Sequence, residues 1–187
     1  MTTSPDRSEA PRASDAAVVR AYRGVTPRID GRAWIAPGAV VVGDVEIGAD
    51  ASIWYGSVVR GDVHRIRIGA RTNVQDLSVL HVTADRFPCE IGDEVTVGHR
   101  AVVHGCRVAE GAMIGIGAIV LDGARIEEDA WVAAGALVPP GAVVAAGTLV
   151  QGVPARETRR LDSAECKEQR ERTLRYVETA RFHAEAS

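Results

Sequence analysis

A β-branched residue or leucine at every sixth position, few aromatic residues and abundant glycine predict an all-β fold, a left-handed parallel β-helix of hexapeptide repeats. Aromatic residues make up only 4% of the 187 positions and 19 are glycine, so small and β-branched side chains must build the core. That composition suits thin, repetitive walls. The period runs through Ile35, Val41, Ile47, Ile53 and Val59, then resumes after a three-residue insertion at Ile68, Val74 and Leu80. Ile91, Val97 and Val103 carry it past a longer loop. After one five-residue step, Val108, Ile114, Val120, Ile126, Val132, Val138, Val144 and Val150 follow without a slip. A helix repeats every 3.6 residues and a simple strand every 2, so neither explains a period of six. Six residues fit a short flat strand plus a corner, and three such units close a triangular coil. The nineteen hexads therefore predict about six coils stacked at ~4.8 Å, a prism roughly 30 Å tall.

The flanking segments differ in character. Residues 1–18 are polar and rich in proline, serine and alanine, which reads as a mobile tail ahead of a β-helix domain over 19–160. The period stops at Val153-Pro154, and residues 161–187 read as one C-terminal α-helix packed back on the prism. Asp162 or Ser163 is its candidate N-cap, and Leu174, Val177 and Phe182 its apolar stripe. Net charge is -3 and the sequence pI is near 6.0, which argues against nucleic-acid or membrane partners. Three cysteines, Cys89, Cys106 and Cys166, show no paired spacing, and no apolar run approaches ~18 residues. Both features fit a cytoplasmic protein. Open-ended solenoids with flat faces pack side by side, and a homotrimer is the simplest closed arrangement.

Assigning hexads to walls turns the sequence into geometry. With Ile35 on the first wall, Val59, Leu80 and Val103 all begin hexads on the second, in three consecutive coils. The following residues, Arg60, His81 and His104, then stack in one outward column, with His81 and His104 on adjacent rungs within reach of one metal ion. His99 falls third in the Val97 hexad, near a corner of the first wall that also carries Gln75. Its ion should belong to a neighbouring subunit. The expected site is therefore His81 and His104 from one chain and His99 from the next, one ion per chain shared between two subunits. Three imidazoles with an open fourth position describe a catalytic zinc site. Arg60 and Asp62, two residues apart, project toward the same seam, with Asp76 on the adjoining hexad. Such charges can tie the interface and orient metal-bound water. His64, His183 and Cys106 lack this support.

Taken together, Ile53-Trp54, Arg60-Gly61-Asp62, Asn73-Val74-Gln75-Asp76, His81, Gly98-His99 and His104-Gly105-Cys106 resemble the γ-class carbonic anhydrases over roughly residues 25–175. The resemblance implies a homotrimer with zinc, or iron or cobalt, at each of three interfaces. It implies Arg60, Asp62, Gln75 and Asp76 as interface or active-site residues, with Asn73 also at the interface. It further implies reversible hydration of carbon dioxide to bicarbonate by a metal-bound hydroxide. Gln75 would orient that hydroxide, and Asp62, held by Arg60, would position or relay the proton. His64 is a candidate shuttle, because an unperturbed imidazole titrates near ~6.5. The sequence departs from some members in two places. Val63 follows Asp62 and the loop after His81 is short, where others carry acidic residues. A tyrosine and an asparagine of some members are also replaced in Leu149-Val150-Gln151-Gly152. The rival readings are a hexapeptide acyltransferase with one histidine as general base, a metal-dependent thioesterase, and a non-catalytic metal-stapled trimeric module.

Overall fold

Three walls of short parallel strands wind about one axis in a computed structural model that describes residues 16–185. Strand register follows the hexad count. Ile35, Ile53, Val74, Val97, Ile114, Val132 and Val150 stack on the first wall. Val41, Val59, Leu80, Val103, Val120 and Val138 stack on the second. Ile47, Ile68, Ile91, Val108, Ile126 and Val144 form the third. All nineteen are buried, and each fully buried side chain of this size contributes about 1.5–3 kcal/mol. The corners leave little space. A Cβ at Gly115 would lie 2.5 Å from the Ala134 backbone nitrogen one coil on.

The prism has about seven turns where the hexad count predicts about six. The extra turn comes from the amino-terminal side: Ile29 pairs with Ile47, and strand Val18–Arg20 pairs with Val40–Val42. The interval between those two strands, which holds the Tyr22–Val25 turn, hides this coil from a strict period of six. The expected tail over 1–18 lies outside the described residues as far as residue 15, and Val18 is already in a strand. At the other end, Arg156–Arg160 pairs antiparallel with Thr148–Gln151 and ends the coil.

The outward faces of the three walls differ chemically. Outside the third wall, Arg28, Glu46, Arg67, Glu90, Arg107 and Arg125 form a ladder of charges. Its ion pairs include Arg28 with Glu46, and Arg67 with Glu46 at 2.6 Å. This is a face suited to water. The second wall presents Val18, Val40, Val58, Val79, Val102, Ile119 and Leu137 in one column. Every member of that column is partly or fully exposed. The first wall carries the C-terminal helix.

That helix spans Ser163–Glu185. Asp162 is the N-cap, since its carboxylate accepts the Glu165 N–H at 2.8 Å while Glu165 accepts the Asp162 N–H at 3.0 Å, a reciprocal capping box. Arg170 then ties the helix to the coil edge through Asp129 at 2.7 Å, Glu110 at 2.8 Å and Glu128 at 3.2 Å. The helix buries Gln169, Thr173 and Ala180, whereas Leu174 and Phe182 of the expected stripe are 40% and 62% exposed. The wall decides this rotation. Trp34 and Trp54 stand edge to face, 5.0 Å apart, and pack against the small Ala180 and the rings of Tyr176 and His183, while Thr96, itself bonded by Asn73, is a polar partner for Thr173. Among the described residues no helix is long and apolar enough to cross a membrane.

Candidate metal centre

His81 and His104 face each other across adjacent rungs of the second wall, with Val79 on Val102 and Leu80 on Val103 fixing the register. Their rings meet through His81 Nδ1 and His104 Nε2, 3.0 Å apart. Each ring is held from behind by a carboxylate. His81 Nε2 lies 3.0 Å from Asp62 Oδ1, and His104 Nδ1 lies 2.6 Å from Asp122 Oδ1. Burial opposes ionisation of Asp62, but hydrogen bonds from His81 and Arg60 outweigh it and hold the carboxyl below its ordinary range. Burial likewise opposes ionisation of Asp122, outweighed by hydrogen bonds from Thr83, 2.7 Å away, and from His104. Both carboxylates are therefore acceptors, and each neutral imidazole places its N–H on the nitrogen they face.

The two nitrogens that face each other are then free to share one proton or to ligate one cation. At 3.0 Å they form a hydrogen bond when one carries the proton, and two lone pairs converge when neither does. Nitrogen ligands at 2.0–2.1 Å from a tetrahedral zinc ion are separated by about 3.3 Å, close to the spacing found here. The donor set fits a metal of that kind, with carboxylates orienting both imidazoles in the manner common to histidine-ligated sites. His99 stands on the corner of the first wall and follows the same pattern, with Nδ1 2.8 Å from Asp76 Oδ2. Within one chain, no three such side chains among the described residues converge on a single point.

The other expected residues are distributed unevenly. Arg60 and Asp62 form an ion pair beside His81. Gln75 and Asn73 are buried on the first wall, where Gln75 Nε2 donates to Asn73 Oδ1 at 3.0 Å. Asn73 in turn donates to Thr96 at 3.0 Å, so the side chain expected at a subunit interface is committed within its own chain under the helix. His64 accepts the Arg65 N–H and His183 bonds Tyr55 in the aromatic cluster, both away from the pair. The Cys106 thiol is buried, and adjacent Cys89 and that burial push its pKa up.

The fold brings two further residues to these sites. Asp122 comes from the turn one coil beyond His104, and it needs Gly105, where a Cβ would lie 2.3 Å from its carboxylate. Tyr176, on the C-terminal helix, lines one cavity with Gln75, Gly98, Ile116 and Arg172. Burial and the nearby Asp76 carboxylate make its hydroxyl a weaker acid. A tyrosine is thus present beside Gln75, although the Leu149–Gly152 segment has none.

Hexad walls, a helix laid on one of them and carboxylate-backed histidines at coil edges define a hexapeptide-repeat protein. Residues 26–61 match the family model for bacterial transferase hexapeptide (six repeats). The chain is 54% identical over 143 residues to a Methanocaldococcus jannaschii protein named "Probable carbonic anhydrase", a span of 76% of this chain and 89% of that one. It is 44% identical over 162 residues to a carbonic anhydrase of Geobacillus kaustophilus, covering 87% and 88% of the two chains. A Bacillus cereus crystal structure, of a protein provisionally named an acetyltransferase, superposes with a TM-score of 0.90 at 38% identity, over 92% of this chain and 99% of that one. The chain belongs to the γ-class carbonic anhydrase family.

Proposed function

We propose that this protein catalyses the reversible hydration of carbon dioxide to bicarbonate at metal centres shared between the subunits of a homotrimer. One observation carries the reading: the facing ring nitrogens of His81 and His104 lie 3.0 Å apart, each imidazole being fixed from behind by an aspartate. The third ligand is His99 of the neighbouring chain. The outer chemistry of the walls supports that assignment. The third wall is a charged ladder and the first is covered by the helix, which leaves the apolar column of the second wall, next to His81 and His104, as the face to bury against a neighbour. Zinc is the ion the nitrogen donors favour, and when bound such an ion brings the pKa of water down toward ~7. The protein's own groups do the rest. Asp62, held by Arg60, and Asp122 orient the two imidazoles. Gln75 and Tyr176 line the cavity at the His99 corner, where they bind and orient the reacting water and carbon dioxide.

The Bacillus cereus structure keeps acyl transfer in view, but that chemistry asks for one basic histidine and gives no role to three carboxylate-backed imidazoles on two different walls. Stopped-flow carbon dioxide hydration on anaerobically purified, metal-analysed protein tests the reading. Hydration that scales with metal content is expected. A metal-replete trimer that hydrolyses or transfers acyl thioesters and leaves carbon dioxide untouched would overturn it.

A further inference from the structure

Under the middle of the C-terminal helix, five buried polar side chains form one hydrogen-bonded chain: Gln75, Asn73 and Thr96 from the wall, Thr173 and Gln169 from the helix. Higher on the same wall, the contact is apolar, made by Trp34, Trp54 and Ala180. An apolar contact was thus available to the fold, and buried polar groups are tolerated only when fully bonded. The polar stretch lies where the wall turns toward His99 and Asp76.

The direction of this chain can be worked out link by link. The Thr173 hydroxyl donates to the Gln169 backbone carbonyl at 3.1 Å and accepts from Gln169 Nε2 at 3.3 Å, which leaves it one lone pair for Thr96. With that proton on the carbonyl, Thr96 is the donor at the 2.8 Å contact between Thr173 and Thr96, where the heavy-atom geometry by itself allows either hydroxyl to donate. Thr96 then has only lone pairs to offer and receives the amide nitrogen of Asn73 at 3.0 Å. Asn73 consequently shows its oxygen to the amide nitrogen of Gln75, again at 3.0 Å. The end of the chain is Gln75 Oε1, which belongs to a residue lining a cavity of about 200 Å³ with Gly98, Ile116, Arg172 and Tyr176. A helix carbonyl thus sets the orientation of an amide on the wall.

We propose that Thr173 and Thr96 are positioning residues that lock the Gln75 amide with its carbonyl oxygen toward the His99 corner. This rests on the reading of that corner as half of the active site. An acceptor there takes the O–H of the reacting water and leaves an oxygen lone pair turned to carbon dioxide. A flipped amide would present N–H donors that bind that lone pair instead.

The test uses the full-length, metal-loaded protein with Thr173→Val, which removes the hydroxyl at nearly constant shape, and Thr173→Ser, which keeps it. The side-chain amide protons of Asn73 and Gln75 are followed by hydrogen exchange in NMR, alongside kcat and KM, with metal content and particle mass as controls. Thr173→Val should speed exchange at both amides and lower kcat by about tenfold at unchanged KM and metal content, the kinetic equivalent of one misdirected hydrogen bond. Thr173→Ser should restore both. Unchanged exchange and kcat in the valine variant, or a serine variant as impaired as valine, would overturn the proposal. Should valine loosen the helix, Thr96→Val breaks the same chain from the wall side and carries the same expectations. A wild-type protein without hydration activity would sink the functional reading, while the exchange pattern would still decide whether Thr173 orders the two amides.

Discussion

Replacing Asp122 by alanine should weaken metal binding without dissolving the fold. Two effects add. The variant loses a charge-assisted hydrogen bond of 2.6 Å to His104 Nδ1, of a kind worth about 1.5–3 kcal/mol, and the partial exposure of both partners argues for the lower half of that range. It also frees His104 to move its proton to Nε2. That nitrogen then donates to His81 Nδ1 at 3.0 Å, a neutral hydrogen bond of about 0.5–1.5 kcal/mol that stabilises the metal-free form. Together, at about 2–4 kcal/mol, they predict roughly a thirty- to several-hundredfold loss of affinity, at or above the ~10–100-fold usual for removing a carboxylate behind a ligating histidine. Asp122→Asn should cost only a few-fold, because its oxygen still accepts from His104 while its amide can donate to Thr83. Competition with a chromogenic chelator on the assembled protein measures both. An alanine variant with native affinity, or an asparagine variant as weak as alanine, would refute the reasoning.

Assembly and coil packing give two more expectations. Val79→Glu sets a carboxylate in the middle of the apolar column of the second wall, so light scattering should shift from three times 19.8 kDa toward one chain, with metal lost and the β-helix circular dichroism kept. A metal-bound trimer in that variant would show that another face forms the interface. Gly115→Ala pushes a Cβ to 2.5 Å from the Ala134 backbone nitrogen, so its thermal midpoint should fall by the equivalent of about 1–3 kcal/mol; an unchanged midpoint would mean the corners are looser than described.

The walls could be read from the sequence because the period of six is strict from Val108 to Val150, and the earlier slips are absorbed locally, the first as a register shift within the continuous strand Val58–Ile68 and the others in the turns after His81 and His104. That count alone brought His81 beside His104 and set His99 on another wall. The rest was hidden for separate physical reasons. Asp122 lies 18 residues beyond His104 in sequence, and only the rise of one coil brings it behind the ring; following the corner after Leu121 through the same count was the signal that could have found it. The seventh turn escaped because a loop separates Val18–Arg20 from Ile29. The burial of Asn73, the exposure of Leu174 and Phe182 and the placing of Tyr176 beside Gln75 all depend on how the helix is rotated on the wall. The helix has apolar residues on more than one side, so its sequence does not fix that rotation. The wall aromatics and the Arg170 ion pairs do.

The central claim is that one ion is held by two chains, and subunit mixing tests it most directly. His99→Ala and His81→Ala chains are each metal-free in this account. When trimers re-form from both, a seam that joins the His81 and His104 wall of a His99→Ala chain to the His99 corner of a His81→Ala chain regains all three ligands. Either mixed trimer has one such seam among three, so mixed trimers should recover about a third of the native metal content. Mixed trimers that remain metal-free, with subunit exchange proven by mass spectrometry, would contradict the shared site.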